Sequence, residues 1–434
     1  MSARAVRATY RIETRIGAER AAAVLAGEQS TGTFVRVDGE SDALRDRHGA
    51  QVRSVLPLGT VAEPSLPGAI SYDAVSPGPG ADGPGTPGQN GRRGEVEVAR
   101  VVVDFPFENF GPSVPNILAA IAGNLFELRE LAGCRLEDVQ FPAEMGTRYP
   151  GPRFGVGGTR RLMQAPDGAL IGGIVKPSVG LAPAEHARRV EALALAGADF
   201  CKDDELIADP PYSPLAERVE HVMRAVDRAA QRTGRKLMYA FNITGEISEL
   251  RRRHDLVVAA GGTCVMVCVN IVGMSGLRYL REFSEVPIHG HRAMFGAFSR
   301  HPALGIDFRV LQKLARLAGV DHLHTIGMNN KFYETNEEVK RSIEAVREPL
   351  LGGYEILPVL SSAQWAGTVP VLYDLVPTTD VLMVAGGGIF GHPGGPREGV
   401  ASLREAWDAA TSGISLAERA KRSGPLREAL RRFA

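Results

Sequence analysis

The chain has 434 residues, of which 44% are hydrophobic and 23% are charged, so it can bury a sizeable core as a folded globular protein. Its 50 Lys and Arg residues balance its 50 Asp and Glu residues, which excludes the strong net charge typical of proteins that bind nucleic acid or anionic membranes. The N-terminus has no apolar signal sequence and no run of about 18 apolar residues occurs, so we expect a cytoplasmic protein without a membrane span.

The first part of the chain, residues 1–140, predicts an α+β domain. Residues 6–15 alternate apolar and polar positions as a half-buried strand does, and residues 18–29 have the composition of a helix. Further strands are predicted in the segments TFVRV, AQVRSVLPL and VEVARVVVDFPF. Ser113 is placed to cap a helix that carries PNILAAIAGNLFEL, with Pro115 in its first turn.

A Gly- and Pro-rich segment, residues 76–94, interrupts this domain. Its composition cannot support a packed element, because Gly and Pro favour turns over helices and strands. A strand-like run follows it at once. We therefore interpret the segment as a mobile surface loop inside the first domain, not as a domain boundary.

The remainder, residues 141–434, has a regular pattern of short apolar strands that alternate with amphipathic helices. Eight such units in about 240 residues are what a (β/α)8 TIM barrel requires, whereas a doubly wound open sheet, the alternative, rarely needs as many. The predicted strands are ALIGGIVKP, ADFCKDD, KLMYAFNIT, TCVMVCVN, VPIHGHRAM, DHLHTIG, YEILPVLSS and DVLMVAGGG.

Polar residues and glycines cluster where these predicted strands end. In a TIM barrel the carboxyl ends of the strands meet in one mouth, where active sites lie, so these residues are predicted to converge. In chain order they are Lys176; Lys202, Asp203, Asp204 and Glu205; Asn242; His289, His291 and Arg292; His322 and His324; Ser361 and Ser362; and Gly386, Gly387 and Gly388.

The segment DFCKDDE after the second strand is the most informative of these. Three adjacent carboxylates repel one another and favour a bound cation, and hard oxygen ligands suit Mg2+. Lys202 has two interpretations that composition does not separate. It pairs as an ammonium with a carboxylate, or it reacts as a neutral amine with CO2 and becomes a carbamate that ligates the metal.

Three further features predict catalysis and anion binding. Lys176 is suited to act as an acid or base if burial and a metal lower its pKa. Gly386 to Gly388 are typical of a phosphate site in a barrel, although a tight turn would have the same sequence. Arg292 and His324 are candidates for gripping a second anion.

The four cysteines carry no motif. Cys134, Cys201, Cys264 and Cys268 form no CxxC pair and lie in apolar stretches, so we expect buried, reduced thiols. A zinc site at Cys264 and Cys268 would need further ligands that the sequence does not show.

In this order, these motifs resemble the large subunit of RuBisCO, and more closely the RuBisCO-like proteins. The resemblance covers nearly the whole chain, and its most specific parts are GGIVKPSVGL at residues 172–181 and GADFCKDDE at residues 197–205. Other matching segments are EQSTGTF, FGPSVPNILAAIAGN, HGHRAM, DHLHTIG and GGGIFGHPGG.

The resemblance implies a RuBisCO-type α+β N-terminal domain before the barrel, a phosphorylated small-molecule substrate, and a homodimer or higher homo-oligomer with its active site at the subunit interface. It implies that carbamylated Lys202, Asp204 and Glu205 hold Mg2+. The other implied roles are catalysis by Lys176, His291 and the mobile-loop Lys331; Glu28 and Asn116 reaching in from the partner subunit; one phosphate on Arg292, His324 and Ser361; and the other on Thr33, Gly386 and Gly387.

The chain departs from true RuBisCO at several of these motifs. The departures argue against carboxylation of ribulose bisphosphate, while the retained metal set favours chemistry through an enediolate. They are Ser178 for a lysine, Ile174 for a threonine, Phe295 for a histidine, Phe34 for a tryptophan, Ser361-Ser362-Ala363 for Ser-Gly-Gly, and the unusual loop IGMNNKF around Lys331.

The first functional hypothesis is therefore a decarboxylase or transcarboxylase for a phosphorylated keto acid such as 3-oxo-isoapionate 4-phosphate. The second is an enolase or isomerase of the methionine-salvage type, with Phe295 and Ile174 supplying an apolar pocket for a thioether. Carboxylation or another sugar-phosphate activity is a third. A barrel that only binds its ligand is the remaining alternative, and intact metal ligands argue against it.

Overall fold

The computed structural model describes residues 4–32, 37–69 and 95–434. The chain folds into two compact units. The first unit consists of Met1–Arg148 and Met294–Leu314, and the second consists of Tyr149–Ala293 and Ala315–Ala434. The short segment that belongs to the first unit lies in sequence between barrel strands, a division that the pattern of residues 141–434 did not predict. The predicted strand TFVRV and the Gly- and Pro-rich segment at residues 76–94 fall outside the described residues, apart from Val37.

The first unit contains a five-stranded sheet with the order β10-β4-β1-β3-β2. Its inner strand β1 alternates between buried and more exposed positions, as its sequence predicted, while the edge strand β2 has no buried residue. The elements are β1 (Ala5–Thr14), α1 (Ala18–Glu28), α2 (Asp42–His48), β2 (Gln51–Val61), β3 (Val96–Pro106), α3 (Val114–Ala122), β4 (Gly133–Gln140), α9 (Phe295–Ser299) and β10 (Leu304–Ile306).

The helix predicted from PNILAAIAGNLFEL is shorter than expected. It ends at Ala122, and a 3-10 turn over Asn124–Glu127 continues the chain. Ser113 occupies the N-cap position, but its side chain makes no capping hydrogen bond. The glycine at position 123 interrupts the helical run because glycine has the lowest helix propensity after proline.

The second unit is a closed barrel of eight parallel strands, which confirms the predicted (β/α)8 fold. Each predicted strand is present. They are β5 (Leu170–Ile174), β6 (Phe200–Lys202), β7 (Met238–Asn242), β8 (Cys264–Cys268), β9 (Ile288–His291), β11 (His322–His324), β12 (Leu357–Leu360) and β13 (Leu382–Ala385).

Helices follow the barrel strands, and one helix precedes them. The long helix α6 (Leu215–Thr233) is followed by Gly234, whose φ of 76° is the left-handed conformation that glycine adopts easily. The helices are α4 (Gly155–Met163), α5 (Pro183–Leu195), α6 (Leu215–Thr233), α7 (Ile247–Ala259), α8 (Val269–Phe283), α10 (Phe308–Ala318), α11 (Asn336–Arg347), α12 (Val369–Leu375), α13 (Gly387–Phe390), α14 (Gly395–Thr411), α15 (Leu416–Ala420) and α16 (Gly424–Phe433).

The lower part of the barrel interior is an apolar core. Met163 of α4 packs there with residues at or near the amino ends of the strands, including Leu170, Met238 and Leu357. Helix α4 therefore closes the amino-terminal end of the barrel, and only the carboxyl end remains for a site. All four cysteines are buried free thiols, as predicted. None of the helices within the described ranges is both long and apolar enough to cross a membrane.

Candidate active site

Two ion pairs between lysines and carboxylates lie at the carboxyl ends of β5 and β6. The Lys176 ammonium donates to Asp204 Oδ2 at 2.7 Å and to Ser178 Oγ at 2.7 Å. The Lys202 ammonium, whose side chain is completely buried, donates to Glu205 Oε2 at 3.3 Å. The structure thus brings together four of the residues predicted from the strand ends.

The surroundings of Glu205 favour its charged form. Burial is the largest single effect and disfavours the carboxylate, but the charge and hydrogen bond of Lys202, the nearby His291 and a backbone hydrogen bond together outweigh it. They lower the pKa of Glu205 to about 2. His291 completes this edge of the site, with Nε2 3.5 Å from Glu205 Oε2. Because His291 Nδ1 accepts the Ala293 N–H, its Nε2 carries the proton of the neutral ring and points it at Glu205.

Asp203, the first of the three adjacent carboxylates of the motif, has a different role from the one predicted for a three-carboxylate cluster. It accepts hydrogen bonds from Arg218 Nε at 3.1 Å, from the Tyr239 hydroxyl at 2.6 Å and from the Asn242 N–H at 2.8 Å. Burial alone would raise its pKa, but the Arg218 charge, together with His186 and Tyr239, holds the pKa of Asp203 below its ordinary value. Asp203 is therefore a buried anchor, and repulsion among three carboxylates does not arise.

The same anchor fixes the loop that carries Asp204 and Glu205. Arg218 is fully buried and donates to the carbonyl groups of Ser213, Ile207 and Ala208. The Asn242 amide donates to the carbonyl groups of Asp204 and Glu205, each at 3.2 Å. The polar end of β7 thus supports the loop backbone, and its amide is used in that support.

The other three histidines predicted at the strand ends, His289, His322 and His324, form a buried cluster on β9 and β11. His289 Nε2 lies 2.8 Å from His324 Nε2, and His324 Nδ1 lies 2.9 Å from Ser361 Oγ. Burial, which penalises the charged ring, lowers the pKa of His322 to about 4 and those of His289 and His324 well below the ordinary value. The three rings are neutral near pH 7.

Arg292, which was predicted to bind an anion, forms an ion pair with the carboxylate of Glu334. Both of its terminal nitrogens contact the Glu334 carboxylate, and both residues are less than a tenth exposed. No sequence motif identified Glu334. It lies in the loop after β11, 42 positions from Arg292, and the two residues come together only in the folded barrel.

The glycine segment after β13 turns directly into the short helix α13. A Cβ atom on Gly386 would come within 2.9 Å of Lys176 Cε, whereas a Cβ atom on Gly387 would meet nothing within 4 Å. A side chain at position 386 would therefore displace the Lys176 side chain, which passes close to this glycine. The N–H groups of Gly387 and Gly388 belong to the first turn of the helix, where amides lack intrahelical acceptors.

The site contacts given above for the described residues do not include three other predicted site residues, Lys331, Glu28 and Asn116. Lys331 is exposed, and its ammonium lies 5.5 Å from the centre of the Phe332 ring. Glu28 at the end of α1 and Asn116 in α3 are exposed residues of the first unit. Thr33 lies outside the described residues.

A carbamate on Lys202 would make this set of side chains suited to Mg2+. Across residues 4–32, 37–69 and 95–434, no three His, Cys, Asp or Glu side chains converge as a metal site. The ammonium form gives two lysines against Asp204 and Glu205, a balanced set. A carbamate on Lys202 would leave three anions against Lys176, and the two excess negative charges match a divalent cation.

Family comparisons give the same picture for both units. Residues 155–433 match the family "Ribulose bisphosphate carboxylase large chain, catalytic domain", and residues 89–145 match the corresponding N-terminal domain. Together these matches cover well over half of the chain.

Individual relatives are similar along their full length. The chain is 47% identical to a 3-oxo-isoapionate-4-phosphate transcarboxylase/hydrolase of Xanthobacter autotrophicus, with 98% of each chain covered. It is 38% identical to a 3-oxo-isoapionate-4-phosphate decarboxylase of Rhizobium etli, again with 98% of each covered. A RuBisCO-like protein structure from Burkholderia fungorum superposes with a TM-score of 0.88 at 40% identity, covering 99% of this chain and all of the other.

Proposed function

The chain belongs to the RuBisCO large-chain family, as a RuBisCO-like enzyme, and from that premise we propose that it cleaves the carboxyl group from a phosphorylated β-keto acid. The proposed reaction is decarboxylation, or transfer of the carboxyl group, on a substrate like 3-oxo-isoapionate 4-phosphate. The observation that carries the proposal is the pair of contacts Lys176–Asp204 and Lys202–Glu205 at the barrel mouth. The names of the relatives support the substrate class.

The proposed cofactor is Mg2+, held by Asp204, Glu205 and carbamylated Lys202. When bound, Mg2+ would supply positive charge to the substrate oxygens that gain electron density as the carbon–carbon bond breaks. Binding of Mg2+ to the carbamylated site should be measurable without a substrate, because a ligand that binds only the folded protein stabilises it.

A thermal unfolding experiment tests this cofactor set. We expect Mg2+ and bicarbonate together to raise the Tm by at least about 2 °C, and either one alone to do less. Lys202→Ala should abolish the joint effect. Lys313→Ala, which removes a largely buried lysine from its pair with Asp138 in the first unit, is the matched control and should keep the effect. Equal shifts in both variants would contradict the role of Lys202.

Lys176 is the proposed proton donor. Its ammonium has three N–H groups, of which two are directed at Asp204 and Ser178, so the third remains for the substrate. Loss of CO2 leaves the bonding electron pair on the former α-carbon as an enediolate, and Lys176 Nζ–H supplies the proton that this carbon takes up. Ser178 accepts from Lys176, whereas the lysine of true RuBisCO at this position would repel it.

The phosphate is proposed to bind at Gly386 and Gly387, together with Thr33. Backbone amides at the start of a helix attract anions, and the absence of a Cβ at Gly387 lets a phosphate approach closely. A single phosphate is sufficient for the proposed substrate. The other end of the substrate would face His291, His324, Ser361 and Arg292.

The active form is proposed to be a homodimer or a higher homo-oligomer, with Glu28 and Asn116 completing the barrel site of the partner subunit. Four large apolar side chains that follow the carboxyl ends of barrel strands, three in loops and one in the first turn of α8, are about half exposed or more, which is typical of a surface that another chain covers. They are Val179, Leu206, Ile271 and Phe332.

The enolase or isomerase hypothesis receives less support from the packing. Phe295 is buried and packs edge-on against Phe308 within the first unit. Ile174 packs against the barrel core. Both side chains are thus engaged in packing, which leaves them poorly suited to form the apolar pocket that a methylthio substrate would need.

A substrate panel distinguishes the alternatives. The purified protein, with Mg2+ and bicarbonate, is given ribulose 1,5-bisphosphate, 3-oxo-isoapionate 4-phosphate and a methylthio-diketo-pentyl phosphate, with CO2 release and enol formation measured separately. We expect CO2 release from the keto acid that Lys202→Ala abolishes and Lys313→Ala retains. Enol formation without CO2 release would favour the salvage-type reaction. Inactivity towards all three, with no Mg2+ effect on Tm, would favour a binding protein.

A further inference from the structure

A continuous chain of hydrogen bonds runs inside the barrel from α4 to the carboxyl end of β12. Thr159 Oγ1 lies 2.7 Å from His322 Nε2, and His322 Nδ1 lies 3.4 Å from His289 Nδ1. The contacts of His289 with His324 and of His324 with Ser361 continue it to the mouth. The first four members are at most 1% exposed and Ser361 is 7% exposed, so the chain opens to the outside only at the serine.

The direction of these hydrogen bonds is fixed at the closed end. Thr159 Oγ1 lies 2.6 Å from the Gly155 carbonyl oxygen, which only accepts, so the threonine proton belongs to that contact. Thr159 must therefore accept a proton from His322 Nε2. Because burial lowers the pKa of His322 to about 4, the ring is neutral and its Nδ1 carries no proton.

The same reasoning assigns the protons of His289, His324 and Ser361 in turn. An unprotonated His322 Nδ1 accepts from His289 Nδ1–H, which leaves His289 Nε2 unprotonated and able to accept from His324 Nε2–H. His324 Nδ1 is then unprotonated and accepts from the Ser361 hydroxyl. Every donor in the chain meets one acceptor. Among the described residues the other partner of Thr159 Oγ1 is the Gly155 carbonyl oxygen, so no proton can leave at that end.

These proton positions determine what Ser361, Arg292 and His324 can bind. The three residues are here called the Ser361 subsite. The Ser361 proton is committed to His324, so the serine presents lone pairs to a substrate. Both nitrogens of neutral His324 are engaged, and the charge of Arg292 is balanced by Glu334. A phosphate oxygen needs donors and excess positive charge, whereas a hydroxyl group can donate to Ser361 Oγ.

Resting on the proposed function, we propose that the Ser361 subsite takes a hydroxyl group of the substrate and not a second phosphate, and that Thr159, His322 and His289 are positioning residues that fix the His324 tautomer. The enzyme would then select a sugar acid with one phosphate, bound at the glycine end. A bisphosphate would leave one anion facing a subsite of balanced charge.

Nitrogen NMR of the full-length protein with 15N-labelled histidine tests the tautomers without any substrate. Protonated and unprotonated ring nitrogens have well separated resonances, and single His→Gln variants assign them. We expect protons on Nε2 of His322 and His324 and on Nδ1 of His289. A proton on His324 Nδ1 would overturn the inference, because the Ser361 hydroxyl would then be released to donate to an anion.

The positioning role of Thr159 is tested with a matched pair of variants. Thr159→Ser keeps the hydroxyl and should keep all three tautomers. Thr159→Val removes the acceptor for His322 Nε2–H, and we expect part or all of the His324 population to move its proton to Nδ1. An unchanged His324 spectrum in a folded Thr159→Val protein would show that Thr159 does not set it. If that variant does not fold, the wild-type spectrum still decides the direction of the chain.

Calorimetric binding of two sugars tests the subsite itself. Ribulose 5-phosphate and ribulose 1,5-bisphosphate differ only in a hydroxyl or a phosphate at one end, and both are measured with Mg2+ and bicarbonate. We expect the monophosphate to bind at least as tightly. Ser361→Ala should weaken the monophosphate about 3- to 10-fold, the effect of one neutral hydrogen bond, without weakening the bisphosphate.

These measurements distinguish failure of the subsite inference from failure of the proposed function. Tighter binding of the bisphosphate that is lost in Ser361→Ala would overturn the subsite inference while leaving decarboxylation intact. Binding of neither sugar, with no CO2 release from the keto acid, would contradict the proposed substrate class. The histidine spectra would still decide the state of Ser361 in that case.

Discussion

Lys176 depends on a glycine that lies 210 positions further along the chain. We expect Gly386→Ala to lower kcat by roughly 10- to 100-fold, because the new Cβ would meet Lys176 Cε at 2.9 Å and displace its ammonium from Asp204. Steady-state kinetics on the keto acid measures this change.

Gly387→Ala is the matched control for that substitution, because its Cβ would meet nothing within 4 Å. We expect it to change KM more than kcat, since Gly387 is proposed to face the phosphate and not Lys176. Equal losses of kcat in the two variants would indicate a general disturbance of the segment and would contradict the specific role of Gly386.

Asp203 and Arg218 form a fully buried ion pair beside the proposed metal ligands. Asp203→Asn would leave the Arg218 charge without its counter-ion, and we expect it to lower the free energy of unfolding by about 3–5 kcal/mol. Denaturant unfolding monitored by circular dichroism measures the loss.

Arg228→Ala serves as the control on the same helix, α6. Arg228 pairs with Glu191 at the surface, where solvent screens the charges, so little change in stability is expected. If both variants lost the same stability, the effect would come from helix α6 as a whole and not from the Asp203 anchor.

At the scale of elements, β9 and β11 place neutral histidines inside the barrel. Burial lowers the pKa of His322 to about 4 from an ordinary value of 6.5, with Asp321 partly opposing it. The folded protein therefore binds fewer protons than the unfolded chain between these values. The contribution of the neutral His322 ring to the free energy of unfolding is fully present above pH 6.5 and is lost as the pH falls towards 4.

This linkage predicts a loss of about 3 kcal/mol of stability from His322 between pH 6.5 and 4. Denaturant unfolding at several pH values measures it. His322→Gln removes the titrating group, so its stability should depend less steeply on pH in this range, whatever its absolute stability. An unchanged slope would contradict the neutral assignment of His322.

The elements also differ in how directly their sequence encoded them. The eight barrel strands were predicted because each is an apolar run bounded by a helix, a local pattern. Strands β4 and β10 were not predicted. Strand β10 has only three residues, and it pairs with β4, more than 160 positions away in sequence. Such a short strand is stabilised by its partner and has little signal of its own.

At the scale of the whole molecule, the proposed shared site can be tested by subunit complementation. Lys202→Ala would disable the barrel of its own subunit, and Asn116→Ala would disable the contribution to the partner. We expect each variant alone to be inactive and an equal mixture, reassembled from separated subunits, to recover activity in roughly a quarter of the sites.

Activity that stays absent in the mixture, with dimers present, would show that each site is built from one chain. The same reassembly with Lys313→Ala in place of Asn116→Ala is the control. That variant retains both site contributions, so its mixture should lose activity only in proportion to the Lys202→Ala subunits.

The sequence by itself determined the barrel, the α+β domain and the position of the charged segment at residues 202–205. These follow from local periodicity and from the rule that strand ends converge in a barrel mouth. Family resemblance added the proposed metal set and the proposed substrate class. Both kinds of inference use residues that are close in sequence or that retain a fixed motif.

Only the tertiary structure decided how those residues are paired. Asp203 meets Arg218 and Tyr239, Arg292 meets Glu334, and Thr159 begins the histidine chain, each across a separation of 15 or more positions. Hydrogen-bond direction and charge balance depend on these neighbours, because a buried polar group takes its state from what surrounds it. The sequence shows which groups are available, and the closed barrel sets the protonation and the partner of each.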